Sequence, residues 1–120
     1  MGAGLATRDF RRLKGLFKSA RDGKVKSRIP KTAKQMERHL KGIANHWRIA
    51  ILLLISKERG ISVDGIASGL KGNFKTIAEH TRRLAQAGLV DKVYRGHSVI
   101  HSLSPYGERF VKFLNEFQNS

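Results

Sequence analysis

A two-residue break, Lys71-Gly72, separates two stretches of helical periodicity and constrains this chain more than any other feature. Before it, residues 62–70 carry Val63, Ile66, Ala67 and Leu70 at helical spacing, predicted to face inward. After it, Asn73 is a favourable N-cap for a helix over 74–87, which Gly88 stops in the usual C-terminal position. Advancing about 100° per residue from Ile77 puts Phe74, Ile77, Thr81, Leu84 and Ala85 on one side of that helix, the side predicted to pack inward. Lys75, Thr76, Glu79, Arg82, Arg83 and Gln86 fall on the other side, with His80 at its margin.

The flanking segments supply the rest of a fold. Thr32 and Gln35 have capping-box spacing, and Ala33, Met36, Leu40 and Ile43 recur at helical offsets, so a helix is predicted over about 32–42. Asn45 can cap the next helix. Residues 47–57 are so rich in Ile and Leu that no wide polar face survives, which predicts a central, buried element. A strand over 49–55 is the alternative for so short an apolar run; Asn45 upstream and the length to Arg59 favour helix. Beyond Gly88, the β-rich arms 89–95 and 98–103 flank a Gly96 turn and read as a hairpin. Ser104-Pro105 then offers an N-cap and a proline at the first helical position, opening a last helix with a stripe of Tyr106, Phe110, Phe113, Leu114 and Phe117. This order describes a mainly α fold with a two-stranded β wing, a winged helix-turn-helix.

Charge narrows the partner. Twenty-four Lys+Arg against nine Asp+Glu leave a formal net charge of +15 on 120 residues, which points to a polyanion and disfavours a plain metabolic enzyme. Residues 1–31 hold ten of the basic residues and two Asp, a net of +8, and read as a basic extension ahead of a domain over 32–120. Within the extension, Phe10, Leu13, Phe17 and Ala20 form one helical stripe, and residues 22–31 read as a linker. Its candidate nucleic-acid contacts are Arg8, Arg11, Arg12, Lys14, Lys18, Arg21, Lys24, Lys26 and Arg28. Docking of its apolar stripe on the protein's own core or on a dimer partner, a solubilising tail, and, least favoured, binding to anionic lipid are the alternatives. The longest apolar run, 49–55, falls far short of the roughly 20 residues that cross a bilayer. The basic N-terminus lacks the apolar core of a secretory signal, so a cytoplasmic, nucleoid-associated protein is expected.

Particular segments resemble a known family. Asn45-His46-Trp47-Arg48-Ile49-Ala50-Ile51-Leu52 resembles the Asn/Asp-Pro-Thr-Arg-Leu-x-Ile-Leu segment of ArsR-type bacterial and archaeal repressors, with His46 and Trp47 departing from it. Ile61-Ser62-Val63-Asp64-Gly65-Ile66-Ala67, Thr76-Ile77-x-x-His80, Ala87-Gly88-Leu89-Val90 and Leu103-Ser104-Pro105-x-Gly107 are similar to the helix-turn-helix and wing-to-last-helix junction of the same family. The resemblance covers about residues 43–108, and the Ala-Gly-Leu-Val and Leu-Ser-Pro-x-Gly steps also recur in MarR-type regulators. It implies a homodimer that binds double-stranded DNA. Met36, Leu40, Tyr106, Phe110, Phe113 and Phe117 are the candidate interface, since the first and last helices carry the apolar stripes.

In helix-turn-helix proteins the N-terminal half of the second helix enters the major groove. Lys75, Thr76, Glu79, His80 and Arg83 are therefore best placed to meet base edges or nearby phosphates. Arg or Lys suits guanine O6/N7, and Glu accepts from cytosine N4. Asn73 and Lys75 can instead hold a phosphate at the helix start, and Glu79 can pair with Arg82 or Arg83 on a merely solvated face. Lys92, Arg95 and His97 flank the wing tip.

No cofactor and no metal are expected. The chain has no Cys, His97 and His101 stand about 13 Å apart along an extended strand, and His39 and His46 belong to different helices. The metal-sensing relatives' Cys clusters on the third helix, or Asp/His/Glu sets on the last, have no counterpart here. Scattered carboxylates and the lack of a Gly-rich phosphate loop argue against an enzyme. Two functions are compatible with these residues: a sequence-specific DNA-binding transcriptional regulator, a repressor by resemblance, or a nonspecific architectural or RNA-associated protein using the winged helix as an adaptor.

Overall fold

The computed structural model describes residues 29–120. The expectations for the extension, namely the Phe10/Leu13/Phe17/Ala20 stripe and the nine basic residues from Arg8 to Arg28, lie outside the described residues. Residues Ala33–Ser120 form one compact unit. In chain order it contains α1 (Ala33–Ile43), α2 (His46–Lys57), α3 (Val63–Leu70), α4 (Phe74–Gln86), β1 (Val90–Arg95), β2 (Ser98–Leu103) and α5 (Pro105–Gln118).

Local chemistry sets most of these boundaries. Asn45, in extended backbone, caps α2 by accepting from the amides of Trp47 and Arg48. Ser62 caps α3 through the Gly65 amide, and Ser104 caps α5 through the Gly107 amide with Pro105 next in line. Each satisfies one of the orphan donors of a helix start. Residues 49–55, where helix is favoured over a strand, are helical, and α2 is the centre of the fold: Ile51, Leu52 and Ile55 are fully buried. They meet Ile66 of α3, Ile77 and Leu84 of α4, Leu89, Val90, Leu103 and Val111.

β1 and β2 pair antiparallel from Val90 opposite Leu103 to Arg95 opposite Ser98, and Gly96 closes the turn at φ 62°. The hairpin is tied to the α2–α3 connection by a short bridge between Ile61 and His101. The His101 amide donates to Ile61 O at 2.9 Å, and Nδ1 lies 2.9 Å from the same oxygen. A carbonyl only accepts, so Nδ1 carries the proton and this buried histidine is a structural pin for the wing.

One expectation about an inward face is corrected. Phe74 is 53% exposed. It lies about 60° from Ile77 on the helical wheel and at the first residue of α4, where the inward direction is already filled by Ile77 against Gly72 and Trp47. The aromatic stripe of α5 is divided. Its buried residues are Gly107 and Val111, flanked by Phe110 and Leu114, while Tyr106, Phe113 and Phe117 remain outside. A Cβ at Gly107 would collide with the Leu89 carbonyl oxygen, so a small residue is what lets α5 start against β1.

Candidate nucleic-acid interface

The turn between α3 and α4 is tight because three residues share its requirements. Lys71 takes the left-handed conformation (φ 55°, ψ 43°), and its amide points to Ala67 O and Ser68 O. The Gly72 amide reaches Ala67 O at 2.9 Å. Gly72 itself is where α4 approaches most closely: an added Cβ would stand 2.9 Å from Ile77 Cδ1 and 3.2 Å from Trp47 Cζ3. Asn73 then caps α4, its Oδ1 accepting from the Thr76 amide at 3.1 Å. The remaining first-turn amides of α4 have no intrahelical acceptor and point along the helix dipole toward any anion placed there.

Lys75, Thr76, Arg82, Arg83 and Gln86 are exposed along α4, as the wheel predicts. Glu79 and His80 are only half exposed, for different reasons. The Glu79 carboxylate accepts from Arg82 Nε and Nη2 at 3.1 and 2.7 Å and from Arg83 Nε at 3.0 Å. The hydrogen bonds from Arg82 and then Arg83 hold its carboxyl down at about 2, below the ordinary 4.5. The pairing read from the sequence is therefore made in the protein alone. Glu79 aligns two guanidinium groups and neutralises one of their charges.

His80 faces Arg48, a residue of α2 that the site reading did not include. Arg48 Nε donates to Gly42 O at 2.6 Å, at the C-terminal end of α1, and Nη1 lies 3.0 Å from His80 Nδ1. Desolvation, the charge of Arg48 and that of Arg83, in that order, push the His80 pKa below its ordinary value. Arg48 joins the end of α1, α2 and the middle of α4, contacts 6 and 32 residues apart in sequence. No local pattern could announce such a bond.

Lys92, Arg95 and His97 are exposed on the hairpin, and Tyr94 between them is 71% exposed opposite Val99. Tyr94 was not among the sequence candidates, although an aromatic among bases suits contact with sugar or base faces. At the other candidate surface, Met36 (47%) and Leu40 (54%) stand out on α1, where Ala33, Leu40 and Ala44 line a shallow apolar groove edged by Glu37 and Lys41. Tyr106, Phe113 and Phe117 are also outside, with Phe113 and Phe117 stacked at 5.6 Å. Phe110, the sixth candidate, packs against the protein's own core.

A helix, a left-handed turn, a capped cationic helix and a hairpin returning to a last helix define a winged helix-turn-helix domain. No protein-family model and no curated protein matches the sequence. Solved structures do match. HlyU from Vibrio cholerae N16961 superposes with a TM-score of 0.67 at 22% identity, over 77% of this chain and 100% of that one. The homodimeric winged helix-turn-helix DNA-binding domain of Mb0332 from Mycobacterium bovis, described as a possible ArsR-family transcriptional regulator, gives 0.65 at 20% identity over 98% and 91%. The transcriptional repressor PagR of Bacillus anthracis gives 0.63 at 22% identity over 68% and 93%. At this identity the likeness is one of fold, and at that level it agrees with the ArsR-type resemblance of residues 43–108.

Proposed function

We propose that this protein is a transcriptional regulator, a repressor, that binds double-stranded DNA as a homodimer and reads sequence through the exposed face of α4. The observation that carries the reading is α4 itself, capped directly after a left-handed lysine turn and presenting Lys75, Thr76, Arg82 and Arg83 to solvent along its length. The similar structures named as regulators and as a repressor support it. Lys92, Arg95 and His97 of the wing would reach the adjacent backbone or minor groove. Residues 1–31, with their net +8, would add affinity without sequence preference. Met36, Leu40, Tyr106, Phe113 and Phe117 supply the apolar surface for a two-fold interface, in keeping with the homodimer described for Mb0332. The protein acts by binding rather than by catalysis, needs no cofactor or metal sensor, and works in the cytoplasm. Among the described residues, no helix is long and apolar enough to cross a membrane.

The test is selection from random duplexes, followed by titration of the winning site against scrambled DNA at about 0.15 M salt. A palindromic site preferred by roughly 10³-fold or more is expected. Equal affinity for both, falling steeply with salt, would replace the reading with a nonspecific nucleic-acid binder, and parallel RNA titrations would then name the polymer.

A further inference from the structure

The Arg48–His80 contact fixes more than helix packing. Arginine has five N–H donors and no acceptor, so at 3.0 Å from Nη1 the His80 Nδ1 must be the accepting, unprotonated nitrogen. A neutral imidazole with Nδ1 bare carries its hydrogen on Nε2. Doubly protonated imidazolium would set one N–H against another, beside a guanidinium that is already held by Gly42 O. The charged neighbours act in the same sense. Arg48 and His46 from α2 and Arg83 from α4 disfavour a second proton on the ring. Glu79 of α4 opposes them, but its carboxylate is occupied by Arg82 and Arg83. None of the described residues hydrogen-bonds Nε2, and His80 lies half-exposed at the margin of the exposed face, next to Arg83 on the wheel.

We infer that Arg48 is a positioning residue that locks His80 as a neutral Nε2–H tautomer, and that His80 thereby offers DNA a fixed, uncharged, donor-only contact to a base-edge acceptor in the major groove. This rests on the DNA-reading role of α4. A lone N–H matches the acceptors guanine N7 or O6, adenine N7 and thymine O4, and is repelled by the amino group of cytosine. Because a second proton on the ring is disfavoured, the contact persists to lower pH than that of an unrestrained histidine.

Two measurements on the full chain decide it. In ring ¹⁵N–¹H correlation spectra without DNA, His80 is expected as the Nε2–H tautomer with a titration midpoint below 6.5. Arg48→Met should move the midpoint up and mix the tautomers, and Arg48→Lys should restore the wild-type behaviour in part. An Nδ1–H tautomer, or a midpoint above 6.5 in the wild type, overturns the lock. In duplex selection, His80→Ala should lose the base preference at one position of each half-site, with affinity for the best site falling about 10-fold. His80→Gln, whose side-chain N–H reaches about as far as Nε2, should retain that preference, and circular dichroism checks that both variants fold. Affinity lost equally for all sequences would mean a phosphate contact and would overturn the base assignment, as would an unchanged preference in His80→Ala. If the wild type selects no site, the regulator reading itself falls and the base contact with it, while the spectra still decide the lock.

Discussion

Lys71 holds φ 55° and ψ 43° at the end of α3, two residues before the cap of α4, and is the one non-glycine residue with positive φ among the described residues. An L-residue in the left-handed region is disfavoured by about 1–2 kcal/mol, which glycine escapes. Glycine's greater freedom in the unfolded chain takes back about 0.5–1 kcal/mol. Lys71→Gly should therefore stabilise the fold by up to about 1.5 kcal/mol, which for a domain of this size raises Tm by up to about 12 °C. Lys71→Ala keeps the strained conformation and should melt within about 2 °C of the wild type. Both variants lose the same cation beside the α4 N-terminus. If that cation meets a phosphate, the slope of log affinity against log salt should fall by about 0.9 in each. Thermal melts and urea curves give the first quantity, and fluorescence titrations of a labelled duplex at four or five salt concentrations give the second. A Lys71→Gly protein clearly less stable than wild type would refute the left-handed turn. A salt slope unchanged in both variants would refute its placement against the DNA backbone.

Gly72→Ala should cost about 1–3 kcal/mol in urea denaturation, because the new methyl lands on buried Ile77 and on Trp47; a neutral result would show that both can retreat. The Glu79 carboxyl is held below its ordinary 4.5, so its contribution to stability is present above pH 4.5 and lost as pH falls toward about 2. Carboxylate NMR should place its midpoint at about 2, and a midpoint near 4.5 would mean the Arg82 and Arg83 bonds are not kept in solution. Glu79→Gln should raise affinity for scrambled DNA several-fold, since two guanidinium groups lose their internal counter-charge, and unaltered scrambled-site binding would contradict that. If the wild type is a dimer in light scattering, Leu40→Asp with Phe113→Asp should give a folded monomer at the same concentration, because both side chains are more than half exposed; an unchanged mass would exclude these faces from the interface.

What could be read from the sequence was local. Asn45, Asn73 and Ser104 each announce a helix start because a cap acts within three residues, and Gly88 and Gly96 mark chain reversals that favour positive φ. The exposed face of α4 follows from periodicity alone. The split of the α5 stripe could not be read in this way: an apolar arc that wide leaves undetermined which part meets the core, and Gly107 decides it through its approach to Leu89. Periodicity also placed Phe74 inward without registering that the helix end outruns the core. Arg48 and His80 each fall in a segment of the family resemblance, but the bond that joins them across 32 residues, like the carbonyl 40 residues away that fixes His101, has no local pattern. The break at 71–72 was visible, but the left-handed residue is Lys71, where glycine would be the economical choice.

The most direct measurement is amide chemical-shift mapping of the ¹⁵N-labelled protein on addition of its selected duplex at about 0.15 M salt. The largest changes are expected from Lys71 to Arg83 and around the 92–97 wing tip, with α1 and the outer face of α5 unmoved. Changes centred on α1 and α5, with the α4 amides unchanged, would contradict the reading of DNA by α4.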